Sequence, residues 1–240
     1  DSSPSRGLGD VYKRQLTFSK LLNQKASNKP SAQHVMDADY YKRIEAIQFT
    51  MSHDDGKKTE EEFVEHDIRL WKSVKSDIHR DDIMRCYSGV GLMKGARDVV
   101  GELQSRGIYV AIVSSGVDLF VGAIANMLKV DDWAANGFEW DEDGFLQRGL
   151  PTRVYSHNKG LMVDKLARIN GFDTSGIVSI GDSSTDLSMK IGESSFIGFN
   201  PARERALNSF LESGVPVVES KDLRDIWPHI FDGEEFPRTY

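Results

Sequence analysis

Ile177-Val178-Ser179-Ile180-Gly181-Asp182-Ser183-Ser184-Thr185-Asp186 reads as a short apolar strand entering a turn, with a helix predicted beyond it to Ile191. Asp182 falls at the strand tip, and Asp186 follows four residues later. One helical turn brings both carboxylates to the same side. Two such carboxylates repel unless a cation sits between them. Mg²⁺ suits the pair, because it takes few protein oxygens and keeps its waters and a substrate phosphate. Taken alone, the same residues also read as a helix N-cap and a solvated acid. Lys159 precedes Asp182 by 23 residues, at the start of a helix predicted to reach Ile169 and stop at Gly171. It is a cation able to neutralise a phosphoryl group, though a lone lysine there equally reads as solvated surface.

Upstream, Ile108-Tyr109-Val110-Ala111-Ile112-Val113 is a second apolar run, predicted as a strand buried on both faces. Ser114-Ser115-Gly116 follows it. A hydroxyl and fresh N–H groups at a strand-to-helix turn can hold a phosphate oxygen, although a plain turn has the same composition. Helices are predicted over 95–105, 118–129 and 202–211, strands over 195–199 and 215–218, and a hairpin over 136–149 turning at Asp141-Glu142-Asp143-Gly144. Strand and helix in alternation mean a parallel α/β sheet. Ligands of such sheets bind beyond the carboxyl ends of the strands, where Ser114 and Asp182 fall.

Residues 36–88 have a different texture, helical and free of strands. Tyr40, Ile44, Ile47 and Met51 mark one helix over 39–51, after a polar loop over 24–37. A turn at His53-Asp54-Asp55-Gly56 follows. Thr59 with Glu62 forms a capping box for a second helix, whose apolar face carries Phe63, Val64, Ile68 and Trp71. A shorter helix runs from His79 to Cys86. Trp71 and Tyr40 read as packing residues.

The 240 residues suit one large domain or a core with an insertion. With 30 Lys+Arg against 37 Asp+Glu the net charge is −7, which argues against a nucleic-acid or anionic-membrane surface. No apolar run reaches the roughly 18 residues of a transmembrane helix. The single cysteine, Cys86, excludes an intramolecular disulfide and reads as a small buried hydrophobe. Residues 1–15 show no periodicity. Asp10-Val11-Tyr12-Lys13-Arg14-Gln15 is the translation of GAT GTG TAT AAG AGA CAG, a string that resembles a transposase sequencing adapter. Residues 1–15 are therefore read as adapter-derived, with natural sequence expected from about Leu16.

The order Ser, Lys, Gly-Asp-x-x-x-Asp is far more specific than any of its parts. Together with Met93-Lys94-Gly95-Ala96-Arg97, Asn158-Lys159-Gly160 and Gly198-Phe199-Asn200-Pro201, it makes the chain resemble the haloacid dehalogenase superfamily, in particular its phosphoserine phosphatase-like members. The resemblance extends from about residue 16 to the C-terminus and is strongest over 92–200. It implies an α/β fold: a three-layer Rossmannoid parallel-sheet core with a small helical C1 cap. Residues 16–91 would hold the squiggle and flap remnant and the cap, and 92–240 the core without its first strand. Ser114, Ser115, Gly116 and Lys159 would bind phosphate. Asp182 and Asp186 would anchor Mg²⁺, and Lys159 and Asp182 would be the catalytic residues present.

The family's first motif, Asp-x-Asp-Gly-Thr, supplies a nucleophile and an acid/base. This sequence has Leu16-Thr17 without it, and Val11 and Lys13 stand where the two carboxylates belong. The expectation is a native Mg²⁺-dependent phosphatase acting on a small phosphate monoester through an aspartyl-phosphate, and no turnover by the chain as written. About four buried apolar side chains would be lost with the missing strand, at about 1.5–3 kcal/mol each. That is comparable to a domain's whole stability of about 5–15 kcal/mol, so a marginally stable chain is expected. Its partner would be a small phosphorylated metabolite, with no nucleic acid or membrane, in the cytoplasm; the resemblance also admits a homodimer. Arg69, Arg80, Arg85 and Glu62 are candidates for reading the substrate, or plain solvated helix faces. Alternatives are a phosphate-binding pseudoenzyme, a phosphotransferase or phosphomutase on the same fold, and a receiver-like phosphoacceptor domain.

Overall fold

The computed structural model describes residues 59–86, 91–201 and 203–237. The adapter-like segment, the loop over 24–37, the helix over 39–51 with Tyr40, and the turn at 53–56 lie outside the described residues, as does the side chain of Cys86. In chain order the elements are α1 (Glu60–Val74), α2 (Arg80–Cys86), α3 (Ala96–Ser105), β1 (Ala111–Val117), α4 (Asp118–Leu128), β2 (Asp132–Asn136), β3 (Phe138–Trp140), β4 (Leu146–Gly149), α5 (Gly160–Asn170), β5 (Val178–Gly181), β6 (Ser195–Phe199), α6 (Glu204–Glu212), β7 (Val217–Val218) and α7 (Trp227–Ile230). They gather into two units. One holds 91–136 and 153–237, the other 59–86 and 137–152.

The first unit is parallel α/β. β5, β6 and β7 form one parallel ladder, and β1 and β2 form another. Alternation along β6 builds two cores. Ile197 and Phe199 face one side, with Val99 and Leu103 of α3, Val218, Ile226 and Trp227. Phe196 faces the other, with Met189, Ala206 and Phe210. Side chains at even and odd positions of a strand point to opposite faces, so helices cover this ladder on both sides. Trp227 is fully buried, and the sequence reading placed no helix there. The Arg106 guanidinium lies 4.8 Å from both the Trp227 and Phe231 ring centres and pairs with Glu102 and Glu234. That fixes the C-terminal segment on α3.

Two strand expectations change. The strand predicted over 108–113 runs instead from Ala111 to Val117. Val110 is held outside the ladder, its N–H donating to Asp131 Oδ2 at 2.8 Å and its carbonyl accepting from Asp131 N at 2.9 Å. Ser114-Ser115-Gly116 therefore lies within the strand rather than after it. Nor is that strand buried on both faces: Ile112 and Val113 are half-buried. The reason is pairing. Among the described residues β1 pairs only with β2, and β5 only with β6.

The second unit packs α1 on the β3–β4 hairpin. Thr59 Oγ1 accepts from Glu62 N at 3.2 Å, and Glu62 returns a carboxylate to Thr59 N at 2.8 Å, closing the predicted capping box. Ile68 and Trp71 are buried, with Trp71 5.7 Å from the Phe138 ring. Val64 packs on Gly149, and Lys72 Nζ donates to the Gln147 carbonyl. α2 is anchored by Asp82, a buried carboxylate that accepts from Lys75 Nζ and His79 N and pairs with Arg85. Burial alone would raise its pKa, but these donors outweigh it and hold the carboxyl below the usual range. The stretch 36–88 is not wholly free of β structure, since His79 bridges to Phe145.

Candidate active site

The Gly181–Asp186 loop builds itself from local bonds. Asp186 Oδ2 accepts from the N–H groups of Asp182 at 3.1 Å and Ser183 at 2.9 Å. Ser183 caps the same turn in return. This back-bonding tightens the chain, and Ser184–Met189 is a 3₁₀ helix rather than the predicted α-helix. Gly181 is required by proximity: a Cβ there would lie 2.3 Å from the Asp186 Cβ. Asp182 Oδ2 is shielded from solvent at the tip of β5.

Lys159 reaches the same carboxylate. Its Nζ pairs with Asp186 Oδ1 at 2.5 Å, with both side chains largely buried. The Lys159 N–H donates to Ser188 Oγ at 3.0 Å, docking the start of α5 on the 3₁₀ turn. Gly160 permits this, because a Cβ would stand 2.1 Å from the Ser188 carbonyl oxygen. The structure thus brings Lys159, Asp182 and Asp186 together. Both Asp186 oxygens are engaged by nitrogen donors, so its observed work is to orient the loop and Lys159. Among the described residues no group of three or more His, Cys, Asp or Glu side chains could hold a metal. Carboxylate oxygens are nonetheless what a hard cation takes.

Ser114-Ser115-Gly116 is a bulge. The β1–β2 register runs Val113↔Ala134 and then resumes at Val117↔Asn136, so three residues on β1 face one on β2. Ser114 Oγ accepts from Gly116 N at 3.1 Å. Asn136, buried and unforeseen from the sequence, donates from Nδ2 to the carbonyls of Ser115 at 3.1 Å and Val154 at 2.9 Å. Its Oδ1 accepts from Arg153 N at 3.0 Å and Val154 N at 2.9 Å. Val154 packs with Ala134 and with Met162 of α5, the helix that Lys159 caps. Asp118, in the first turn of α4, is the other missed residue. Burial pushes its carboxyl up, opposed by the Leu119 N–H and the charge of Arg153. The only sequence signals were an asparagine closing an apolar strand before Gly137 and an acid just after the Ser-Ser-Gly turn.

Of the residues considered for reading substrate, Glu62 is engaged in the capping box and Arg85 in the Asp82 pair. Arg69 and Arg80 are exposed. The one Asp-x-Asp-Gly sequence in the chain, at 141–144, is a hairpin turn. Asp141 Oδ1 accepts there from the N–H groups of Asp143 and Phe145.

A Ser-bearing bulge, a buried Lys–Asp pair and a Gly-Asp strand tip on parallel α/β architecture fit the haloacid dehalogenase pattern, and the chain is similar in sequence and structure to phosphatases of that kind. Phosphoserine phosphatases are among its homologues over most of its length. That of Methanocaldococcus jannaschii is 29% identical over 167 residues, 69% of this chain and 76% of the relative. A solved phospho-aspartyl intermediate analogue of a phosphoserine phosphatase is 26% identical, with a TM-score of 0.60 over 81% of this chain and 88% of that one. A separate likeness falls on the N-terminal part. Residues 10–70 match the kinase/pyrophosphorylase family, Kinase-PPPase. A proposed pyruvate, phosphate dikinase regulatory protein of Pelagibacter ubique is 65% identical over 46 residues, 19% of this chain. The chain spans only 17% of that relative's length. This match begins inside the stretch read as adapter-derived and ends within α1.

Proposed function

We propose that the first unit is the phosphate-handling core of an Mg²⁺-dependent phosphoric monoester hydrolase whose substrate is phosphoserine or a close relative. The observation that supports this best is the Lys159–Asp186–Asp182 cluster, a buried lysine paired with the Asp186 carboxylate, whose other oxygen accepts from the Asp182 N–H at a strand tip. In this reading Ser114 Oγ and the Ser115 N–H bind phosphate oxygens, and Lys159 neutralises charge on the phosphoryl group. Asp182 would hold Mg²⁺, with Asp186 fixing the loop and Lys159 around it. The metal, when bound, would stabilise negative charge on the phosphate.

Covalent turnover in the family's manner needs a carboxylate nucleophile, and the sequence contains no Asp-x-Asp-Gly-Thr. We therefore expect the chain as it stands to bind phosphate without turnover. The test is an assay of the pure chain with O-phosphoserine and Mg²⁺, alongside a phosphate titration followed by amide shifts. Phosphate-dependent shifts at Ser115 and Gly116 without hydrolysis are the expected result. Mg²⁺-dependent hydrolysis overturns the claim of inactivity, and absent shifts overturn the site.

The 65% identity favours a second reading for the N-terminal part: a piece of the kinase/pyrophosphorylase family joined to the phosphatase core. The flap-and-cap assignment of 16–91 would then apply only from about Thr59, where α1 packs on β3–β4. Genomic DNA read from the codons for residues 10–70 into those that follow distinguishes one continuous gene from a junction.

A further inference from the structure

We infer that Asn136 is a positioning residue for phosphate binding: one side-chain amide sets the Ser115 peptide and the 153–154 segment together, so that the Ser114–Gly116 bulge faces its anion in a fixed conformation. This rests on the phosphate-binding reading of that bulge. The argument begins with the ladder. A bulge forfeits backbone pairing, and between Val113↔Ala134 and Val117↔Asn136 the β1 chain carries three residues against one. The Ser115 carbonyl finds its donor in the Asn136 amide, at 3.1 Å. A primary amide has two donor hydrogens and one oxygen with two lone pairs. Asn136 uses both sides: Nδ2 donates to Ser115 O and Val154 O, and Oδ1 accepts from Arg153 N and Val154 N.

The location adds weight. Asn136 is the last residue of the first unit before the chain passes into the second, and Arg153 is the first residue on its return. The one side chain therefore ties exit, return and bulge together. It is buried, with 6% exposure, so water cannot substitute for the lost partners without rearrangement. Neither a serine nor an aspartate reproduces the pattern. Serine is too short to span the three segments. Aspartate keeps the acceptor but sets a charge against the carbonyls of Ser115 and Val154.

The experiment compares the full chain with Asn136→Asp, and with Asn136→Ser should the first fail to melt cooperatively. Val99→Ala serves as a control that loosens the core on the other face of β6. Inorganic phosphate is titrated and followed by the amide signals of Ser115 and Gly116, and hydrogen exchange is read at Gly116 and Val154. Asn136→Asp is expected to raise the phosphate dissociation constant about tenfold, the equivalent of one lost hydrogen bond. It should also speed Gly116 exchange about tenfold while leaving the Val154 N–H slow. Val99→Ala should lower the melting temperature without changing either bulge readout. Wild-type affinity and exchange in a folded Asn136 variant would overturn the inference. Absence of any phosphate response in the parent chain overturns the site reading instead. Gly116 exchange then still judges Asn136: unchanged exchange refutes it, and faster exchange leaves it holding the bulge.

Discussion

The two strand ends that carry the candidate chemistry are held in different ways. The 181–186 loop is closed by bonds spanning three or four residues, and Lys159, 27 residues away, pairs with its Asp186. The 114–116 bulge depends on Asn136, 21 residues away, which in turn depends on a segment 18 residues further on. A locally closed loop keeps its shape wherever its strand goes. A borrowed one keeps its shape only while three distant segments stay in place.

The largest expected effect breaks the self-held loop. Asp186→Ala strands Lys159 in a buried position and frees two backbone donors, and should cost about 3–5 kcal/mol in denaturant melts. Gly160→Ala should follow, at about 2–3 kcal/mol, because its new methyl meets a backbone carbonyl that cannot swing aside. Asn136→Ala removes partners from the bulge and should cost about 1–3 kcal/mol. A loss as large as that of Asp186→Ala would erase the contrast between the two ends.

The smallest effect is a test of sign. Asp118 has its carboxyl raised, chiefly by burial. A carboxyl raised in the folded state contributes stability below its unfolded pKa and loses it as pH climbs through the folded value. Asp118→Asn should therefore stabilise the protein near neutral pH, by under about 1 kcal/mol, and the gain should vanish below about pH 4. Asp222 is the opposite case. Its pairing with Arg224 and Lys94 holds the carboxyl well below the usual range. Its contribution is present above the unfolded pKa and lost as pH falls through the folded one. Asp222→Asn should accordingly lower the urea midpoint at pH 7, with a gap that narrows in strong acid.

Legibility followed the range of the interactions. The Thr59–Glu62 capping box was readable because both partners lie within one turn. The Gly-Asp-x-x-x-Asp loop was readable for the same reason, though its 3₁₀ geometry was not: that depends on the Asp186 carboxylate reaching back to two N–H groups. The start of β1 was misplaced because Asp131, not the apolar pattern, takes up Val110. Asn136 left no pattern, since its four partners come from two other segments.

Alternation of strand and helix was enough to determine a parallel α/β protein, and the Ser, Lys and Gly-Asp motifs carried its resemblance to the haloacid dehalogenase superfamily. Those features are written in residues close together in the chain. Tertiary structure alone decided that Asp186 answers to Lys159, that Ser114 sits in a bulge, and that Asn136 holds that bulge. Each of these is a bond between segments that only folding brings within hydrogen-bonding distance.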